Sequence, residues 1–470
     1  MKKVGRESEY ALFRKMHKSK KSEFVALYGR RRVGKTFLIR SFLNEYNCTF
    51  QVTGLANATT EQQLVNFHIA IAKYTTVNSQ SENWVQAFQL LINYLEQSSD
   101  EKKVVFIDEL PWFDTAKSDF IQALEHFWNS WASARNDVLL IVCGSAASWM
   151  INKLINNTGG LHNRVTKKIK IVPFTLKECE QFLLEKNIQL DRYQIVQLYM
   201  VLGGIPFYWD EVEQGKSATQ NIEQICFTRN GLLRTEFSNI FQSLFKKADN
   251  HLKIVNALAK KSVGLTRDEI LKETLLPNAG STTRLLVELE ESGFLRKYTP
   301  FGRTNRDSLY QLSDFYTLFY LSFIQNTNLD DKNNWINAID NPKQRGWSGY
   351  AYEQVCLHHI DQIKSALGIA GVESTTSSWR SKTQGAGAQV DLVIERRDQV
   401  INLCEMKFSI NEFLIDKKYD AELRNKIGTF KTETKTRKSV FLTMITTFGL
   451  QQNAYAGLAQ SSLTLDDLFL

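Results

Sequence analysis

No feature of the 470-residue chain constrains its fold as tightly as FVALYGRRRVGKTFLIRSFL, residues 24–43. A β-type apolar run ends at Gly29, and Gly29-Arg30-Arg31-Arg32-Val33-Gly34-Lys35-Thr36 follows with the spacing GxxxxGK[ST]. Beyond it, Phe37, Leu38, Phe42 and Leu43 are the apolar positions of an amphipathic helix. A loop in that strand–loop–helix setting cradles phosphates. Backbone N–H groups of the loop and the helix N-terminus face the anion, Lys35 reaches the β- and γ-oxygens, and the Thr36 hydroxyl ligates Mg²⁺. The expected ligand is ATP with Mg²⁺, bound by residues 29–37.

A second segment completes the chemistry. KVVFIDELPWF (103–113) places Asp108 and Glu109 at the carboxyl end of a buried strand. Asp108 is expected to hold Mg²⁺ through water, and Glu109 to polarise the attacking water. VLLIVCGSAASW (138–149) reads as another buried strand ending at Ser145. Two readings are open there: a hydroxyl that senses the γ-phosphate, or a helix N-cap. HNRVTKKIKIVPF (162–174) reads as a further strand preceded by Arg164, which would reach a γ-phosphate in its own chain or in a neighbouring subunit. Strands alternating with helices give an α/β core with a parallel sheet and the nucleotide at the strands' carboxyl ends.

Together YGRRRVGKT, FIDELPW, CGS and the later LGGIPFYW (202–209) resemble the AAA+/STAND-type ATPases first grouped as archaeal ATPases. The resemblance covers roughly residues 1–330. It implies that Gly203, Gly204 and Pro206 close a helical lid over the nucleotide base. The residues themselves say only that Gly-Gly-Ile-Pro breaks a helix between two helical patterns.

The length implies two to four domains. The core is expected over 1–175 and a helical lid over 176–248, opening on Thr175 as N-cap with Glu178 three residues on. A third domain is expected over 249–330, where helix, short helix, longer helix and two β-like runs succeed one another. That is the winged-helix order, and the family commonly carries such a domain there. Its recognition helix, about 280–292, begins Ser281-Thr282-Thr283-Arg284 but continues ELEES, which repels phosphates. The wing, FGRTNRD, offers Arg303 and Arg306. NTNLDDKNNW (326–335) is the softest junction.

Residues 345–470 have another character. SGYAYEQVCLHHI (348–360) reads as a helix carrying Glu353. QVDLVIER, a turn and VINLCEMKF follow, then a helix at 419–430 and the strand SVFLTMITTF. The period of two puts Glu405 and Lys407 on one strand face. Two or three carboxylates hold a hard divalent cation, and a lysine orients a water and steadies negative charge. Glu353, Asp391 and Glu405-x-Lys407 resemble the PD-(D/E)XK nuclease superfamily over about 120 residues. The resemblance implies a restriction-endonuclease-like α/β fold, with Glu353, Asp391 and Glu405 as ligands of Mg²⁺ or Mn²⁺. Shared metal binding carries a register condition. Only an odd hairpin loop such as 397–399, or a bulge near Asp391, brings Asp391 and Glu405 to one face.

Composition narrows the classes. With 43% hydrophobic and 23% charged residues the chain is an ordinary globular one, and its net charge of +8 tilts mildly towards polyanions. The six scattered cysteines form no CxxC pair, so a reduced, cytoplasmic protein without a zinc site is expected. No apolar run suits a signal peptide or a membrane span. The preferred reading is an ATP-binding switch or motor that controls a nuclease acting on DNA, with RNA second. Homo-oligomerisation and a protein trigger are open, and genome defence or mobile-element handling fits through the resemblance. Two alternatives remain: an ATP-dependent scaffold whose nuclease-like domain only binds, and an ATP-gated winged-helix transcription regulator.

Overall fold

Apolar runs of four to seven residues set the first half of the computed structural model, which describes residues 4–75, 80–156, 159–245, 247–327, 334–339, 341–381 and 387–470. The chain divides into two compact units, residues 1–173 and 174–470.

In the first unit, β1 (Glu23–Tyr28), β2 (Phe50–Thr53), β3 (Lys103–Asp108), β4 (Val138–Gly144) and β5 (Lys167–Lys170) form a sheet in the order β2-β3-β4-β1-β5, parallel throughout. Every residue of β3 and β4 is buried, as expected where helices cover both faces of a parallel sheet. One face packs on an aromatic cluster that includes Phe67, Trp84, Phe88, Phe120 and Phe127. Strand order reverses at β1, which lies between β4 and β5. Ligands of open α/β sheets bind at the carboxyl ends beside such a reversal.

The second unit opens with helices Leu176–Glu185, Arg192–Leu202, Pro206–Trp209, Ala218–Cys226 and Leu232–Leu244. The first has the expected capping box between Thr175 and Glu178. The break at 203–206 has a packing reason. A Cβ on Gly204 would lie 1.9 Å from the carbonyl oxygen of Phe174, whose N–H donates to the Gly204 carbonyl at 2.7 Å. Helices Asp249–Ala259, Arg267–Thr274 and Gly280–Glu291 come next, with a three-stranded antiparallel sheet β6-β8-β7 (Leu265–Thr266, Leu309–Leu312, Leu295–Tyr298). The junction expected at 326–335 lies largely outside the described residues.

The last portion carries helix Pro342–His358, the meander β9 (Ser374–Arg380), β10 (Gln389–Arg396) and β11 (Val400–Lys407), helix Lys417–Thr434, then β12 (Ser439–Thr446) and β13 (Ser461–Leu463). The mixed sheet runs β13-β12-β11-β10-β9, antiparallel from β9 to β11 and parallel from β11 to β13.

Two expectations about the middle portion need correction. Thr282, expected to face a groove, is buried and its hydroxyl donates to the Pro277 carbonyl, so only Ser281, Thr283 and Arg284 are exposed at that helix start. Nor is the β7–β8 loop a free wing. Its Phe301 N–H donates to the Ser378 carbonyl of β9 at 2.7 Å, and its ring packs on Trp379 and Phe430. No helix among the described residues is long and apolar enough to cross a membrane.

Candidate functional site

The phosphate loop is built by backbone conformations that few residues tolerate. Gly29 leaves β1 at φ 143°, where a Cβ would meet the Ile171 carbonyl oxygen at 2.3 Å. Arg32 has φ 70°, and Gly34 stands as N-cap of helix Lys35–Leu43. Lys35 is buried, and its ammonium donates to the carbonyls of Gly29 and Arg30, 2.8 Å each. The loop is thus held in shape by the cation that would face the phosphates. Burial pulls the Lys35 ammonium below its ordinary pKa. Arg30 and Val33 are buried, whereas Arg31 and Phe37 are exposed.

β3 delivers the acids. The Thr36 hydroxyl donates to Asp108 Oδ2 at 3.1 Å, bringing a hydroxyl and a carboxylate together at the loop. Burial, reinforced by Glu109, raises the Asp108 pKa. These hard oxygen donors, short of positive charge, fit Mg²⁺. Glu109 sits in the left-handed region at φ 49°, where a non-glycine residue is strained, as functional residues often are. Its Oε2 accepts from the Ser145 hydroxyl at 2.9 Å and the Ser145 N–H at 3.2 Å. Ser145 does not cap the following helix, whose N-cap is Ala146. Arg164 is exposed on the turn ahead of β5. Pro206 belongs to the second unit, where it opens the short helix Pro206–Trp209.

The second constellation lies in residues 345–470. β10 and β11 pair as Leu392↔Cys404, Val393↔Leu403 and onward to Glu395↔Ile401, leaving the three-residue loop 397–399. The loop length is the odd one required, and Gln399 takes the left-handed conformation that such loops use at their last position. Carried one step further, the register sets Asp391 opposite Glu405, on one face of the sheet. A bulge against β9 falls between Val390 and Val393, the stretch that holds Asp391.

Glu405 is buried and fully engaged. Its Oε2 accepts from Lys426 at 2.8 Å, and its Oε1 from Tyr419 at 2.8 Å, with Lys407 3.1 Å from Oε1. Burial alone would raise its pKa, but Lys407 and Lys426 outweigh it and hold Glu405 ionised. At Asp391 and Glu353 the same two lysines are outweighed by burial. Asp391 accepts a hydrogen bond from the Gln389 amide at 2.7 Å, and burial pushes its pKa up. Glu353 is pushed up to about 8 by burial and by the charge of Asp391. Among the described residues, no three His, Cys, Asp or Glu side chains are gathered into a ready metal-holding group. The expected trio Glu353, Asp391 and Glu405 is therefore not preassembled, because two lysines and a tyrosine occupy the Glu405 carboxylate. A cation still matches the local need: buried carboxyls that repel one another lack positive charge.

Tyr419 and Lys426 were not singled out from sequence. They lie seven residues apart, two turns along helix Lys417–Thr434 and hence on one face, which is the available signal. The ELEES acids also change meaning, since Glu288 is bound by His251 at 2.9 Å and Arg284 at 3.0 Å. Glu353 and Asp391 open on a cavity of about 1100 Å³, whose other wall includes Arg296, Tyr298 and Arg303 of the β7–β8 hairpin.

Residues 4–212 match the family described as an ATPase domain predominantly from Archaea. An uncharacterized protein of Methanocaldococcus jannaschii is 24% identical over 368 residues, 77% of each chain. Among solved structures, a Walker-type ATPase of Pyrococcus abyssi aligns over 68% of this chain and 96% of its own, with 17% identity and a TM-score of 0.49. The ORC2 protein of Aeropyrum pernix aligns over 72% and 92%, with 12% identity and a TM-score of 0.39.

Proposed function

We propose that the chain is an ATP-driven switch that governs a Mg²⁺-dependent nuclease in residues 345–470, acting on DNA in the cytoplasm, with RNA as the second substrate. What supports this reading is the β10–β11 register, which, carried one step beyond Leu392↔Cys404, would set Asp391 across from Glu405, with Lys407 on the Glu405 face by strand alternation. The order helix, three-stranded meander, helix, parallel strand supports a PD-(D/E)XK-like fold, and the three-helix portion before it suits a winged helix. Mg²⁺ would be held by Asp391 and Glu405 with Glu353, supplying charge neutralisation and a polarised water. Hydrolysis then adds water across a P–O bond, with hydroxide going to phosphorus and a proton to the leaving oxygen. Lys407 would orient that water, while Tyr419 and Lys426 fix the Glu405 carboxylate.

In the first unit, Lys35 and the loop amides would hold the ATP phosphates, Thr36 and Asp108 the Mg²⁺, and Glu109 the attacking water, which Ser145 helps position. Arg164, exposed, would reach a γ-phosphate in a neighbouring copy, and Gly203, Gly204 and Pro206 would shape the lid. The decisive assay incubates purified protein with supercoiled and linear DNA, with Mg²⁺ or Mn²⁺, with and without ATP, beside Asp391→Ala and Lys35→Ala. Cutting that survives Asp391→Ala ends the nuclease assignment.

One observation favours a second reading. Glu405 is already neutralised by Lys407 and Lys426, as in a fold kept for binding alone. No cutting with ATP turnover intact would move the assignment to an ATP-dependent scaffold.

A further inference from the structure

Arg296 of β7 is half-buried at the cavity wall, yet no carboxylate pairs with it among the described residues. Its guanidinium donates to the side-chain oxygen of Gln311 through Nε at 3.2 Å and through Nη2, Nη2 also donates to that of Gln354 at 3.3 Å, and the group lies 5.7 Å from the Tyr298 ring centroid. Three of its five N–H donors meet these two neutral oxygens, which leaves the two on Nη1 for something else. A half-buried charge with only neutral partners is well placed to take an anion. The geometry also fixes where the anion would lie. Gln354 adjoins Glu353 on one helix, and Asp391 lines the same cavity as Arg296. The cation therefore stands beside the acidic group but outside ion-pair distance of it.

The hairpin that presents Arg296 is fixed in place. Phe301 at its tip is hydrogen-bonded to β9 and packed on Phe430, with ring centroids 5.2 Å apart. Lys260, Lys261 and Arg303, all exposed, line the same cavity. At about 1100 Å³ it exceeds the roughly 300–1,000 Å³ usual for small-molecule pockets, which suits an extended chain rather than a lone nucleotide.

Resting on the phosphodiester reading of the carboxylate site, we infer that Arg296 is its positioning residue. Through Nη1 it grips a backbone phosphate of a nucleic-acid strand lying in this cavity, one step from the phosphodiester that faces Asp391 and Glu405. The three-helix portion thus contributes to the site through its hairpin rather than through its helix.

The test uses the full-length chain without divalent cation, so that binding is read apart from cutting. Fluorescence anisotropy follows labelled single-stranded DNA, single-stranded RNA and duplex DNA over a range of salt. Arg296→Gln should weaken binding about tenfold and reduce the slope of log K against log salt by about one phosphate contact. Arg296→Lys, which keeps the charge but cannot hold both glutamines and a phosphate at once, should fall between Arg296→Gln and the parent. Both variants must keep the parent's unfolding midpoint within the range of a surface substitution. If Arg296→Gln misfolds, Arg296→Lys alone decides. Parental affinity and slope in a folded variant overturn the inference, as does a parent chain that binds none of the three probes. A parent that binds with these losses but never cuts defeats only the nuclease reading and leaves the phosphate grip standing.

Discussion

Protonation of His359 should unfasten the second unit at mildly acid pH. The imidazole is fully buried between two helices. Its Nε2 accepts the N–H of Leu176, the first residue of helix Leu176–Glu185, at 3.0 Å, and Nδ1 lies 2.8 Å from the Val355 carbonyl. Because Nε2 accepts, the neutral ring carries its proton on Nδ1. A second proton would destroy the Leu176 hydrogen bond and set a cation at the positive end of a helix. Burial accordingly pushes the pKa down to about 4 from an ordinary 6.5. The unfolded chain takes up the proton first, so this group's contribution is complete above pH 6.5 and is lost as pH falls towards 4. At about 1.36 kcal/mol per unit, the loss is about 2 kcal/mol at pH 5 and about 3 kcal/mol at pH 4. Other groups titrate in that range, so the quantity to measure is the stability of the parent minus that of His359→Gln, by urea unfolding at several pH values. The variant should be less stable at pH 7, and the gap should close by about 2 kcal/mol at pH 5. A gap independent of pH, or a proton NMR titration placing His359 near 6.5, refutes the reasoning.

Other outcomes follow from the same geometry. Lys35→Ala should reduce ATP turnover at least on the order of a hundredfold, because the loop loses both its phosphate ligand and its internal clamp on Gly29 and Arg30. Turnover near the parental rate would show that nucleotide binds elsewhere. Glu353→Gln should be stabilising above neutrality. With the folded pKa at about 8 against an ordinary 4.5, ionising Glu353 in the fold costs stability as pH rises between those values. The variant should therefore gain about 3 kcal/mol on the parent between pH 5 and 7.5 in urea unfolding, while any Mg²⁺-dependent cutting disappears. An unchanging difference would contradict the buried-acid picture. Gly204→Ala forces a Cβ to 1.9 Å from the Phe174 carbonyl oxygen and should cost roughly 2 kcal/mol or more, read as a lowered denaturation midpoint. A midpoint equal to the parent's would mean that this turn yields easily.

The sequence by itself determined whatever rests on neighbours along the chain. A strand, a loop of set length and a helix N-terminus are local, so the phosphate loop and its reading by Lys35 and Thr36 needed no partner segment. Alternation on β11 put Glu405 and Lys407 on one face by the geometry of a strand alone, and reduced the role of Asp391 to a parity of loop length. Thr175 and Glu178 announced their helix for the same reason.

Only the tertiary structure decided which charges face one another across elements. Lys426 and Tyr419 come to Glu405 from a helix that folds back over β11, and no spacing in the chain names the acid they serve. Ser145 was undecided until β3 and β4 aligned and gave its hydroxyl to Glu109. The β7–β8 loop looked like a basic wing because Arg303 and Arg306 dominate its composition. Its fate was set by Phe301, whose burial against Trp379 and Phe430 removes apolar surface from water in a way no charge pattern announces. That docking also turned Arg296 from one arginine among many into a cation without a carboxylate partner beside two acids, because burial and unmet hydrogen bonds are properties of the surroundings and not of the residue.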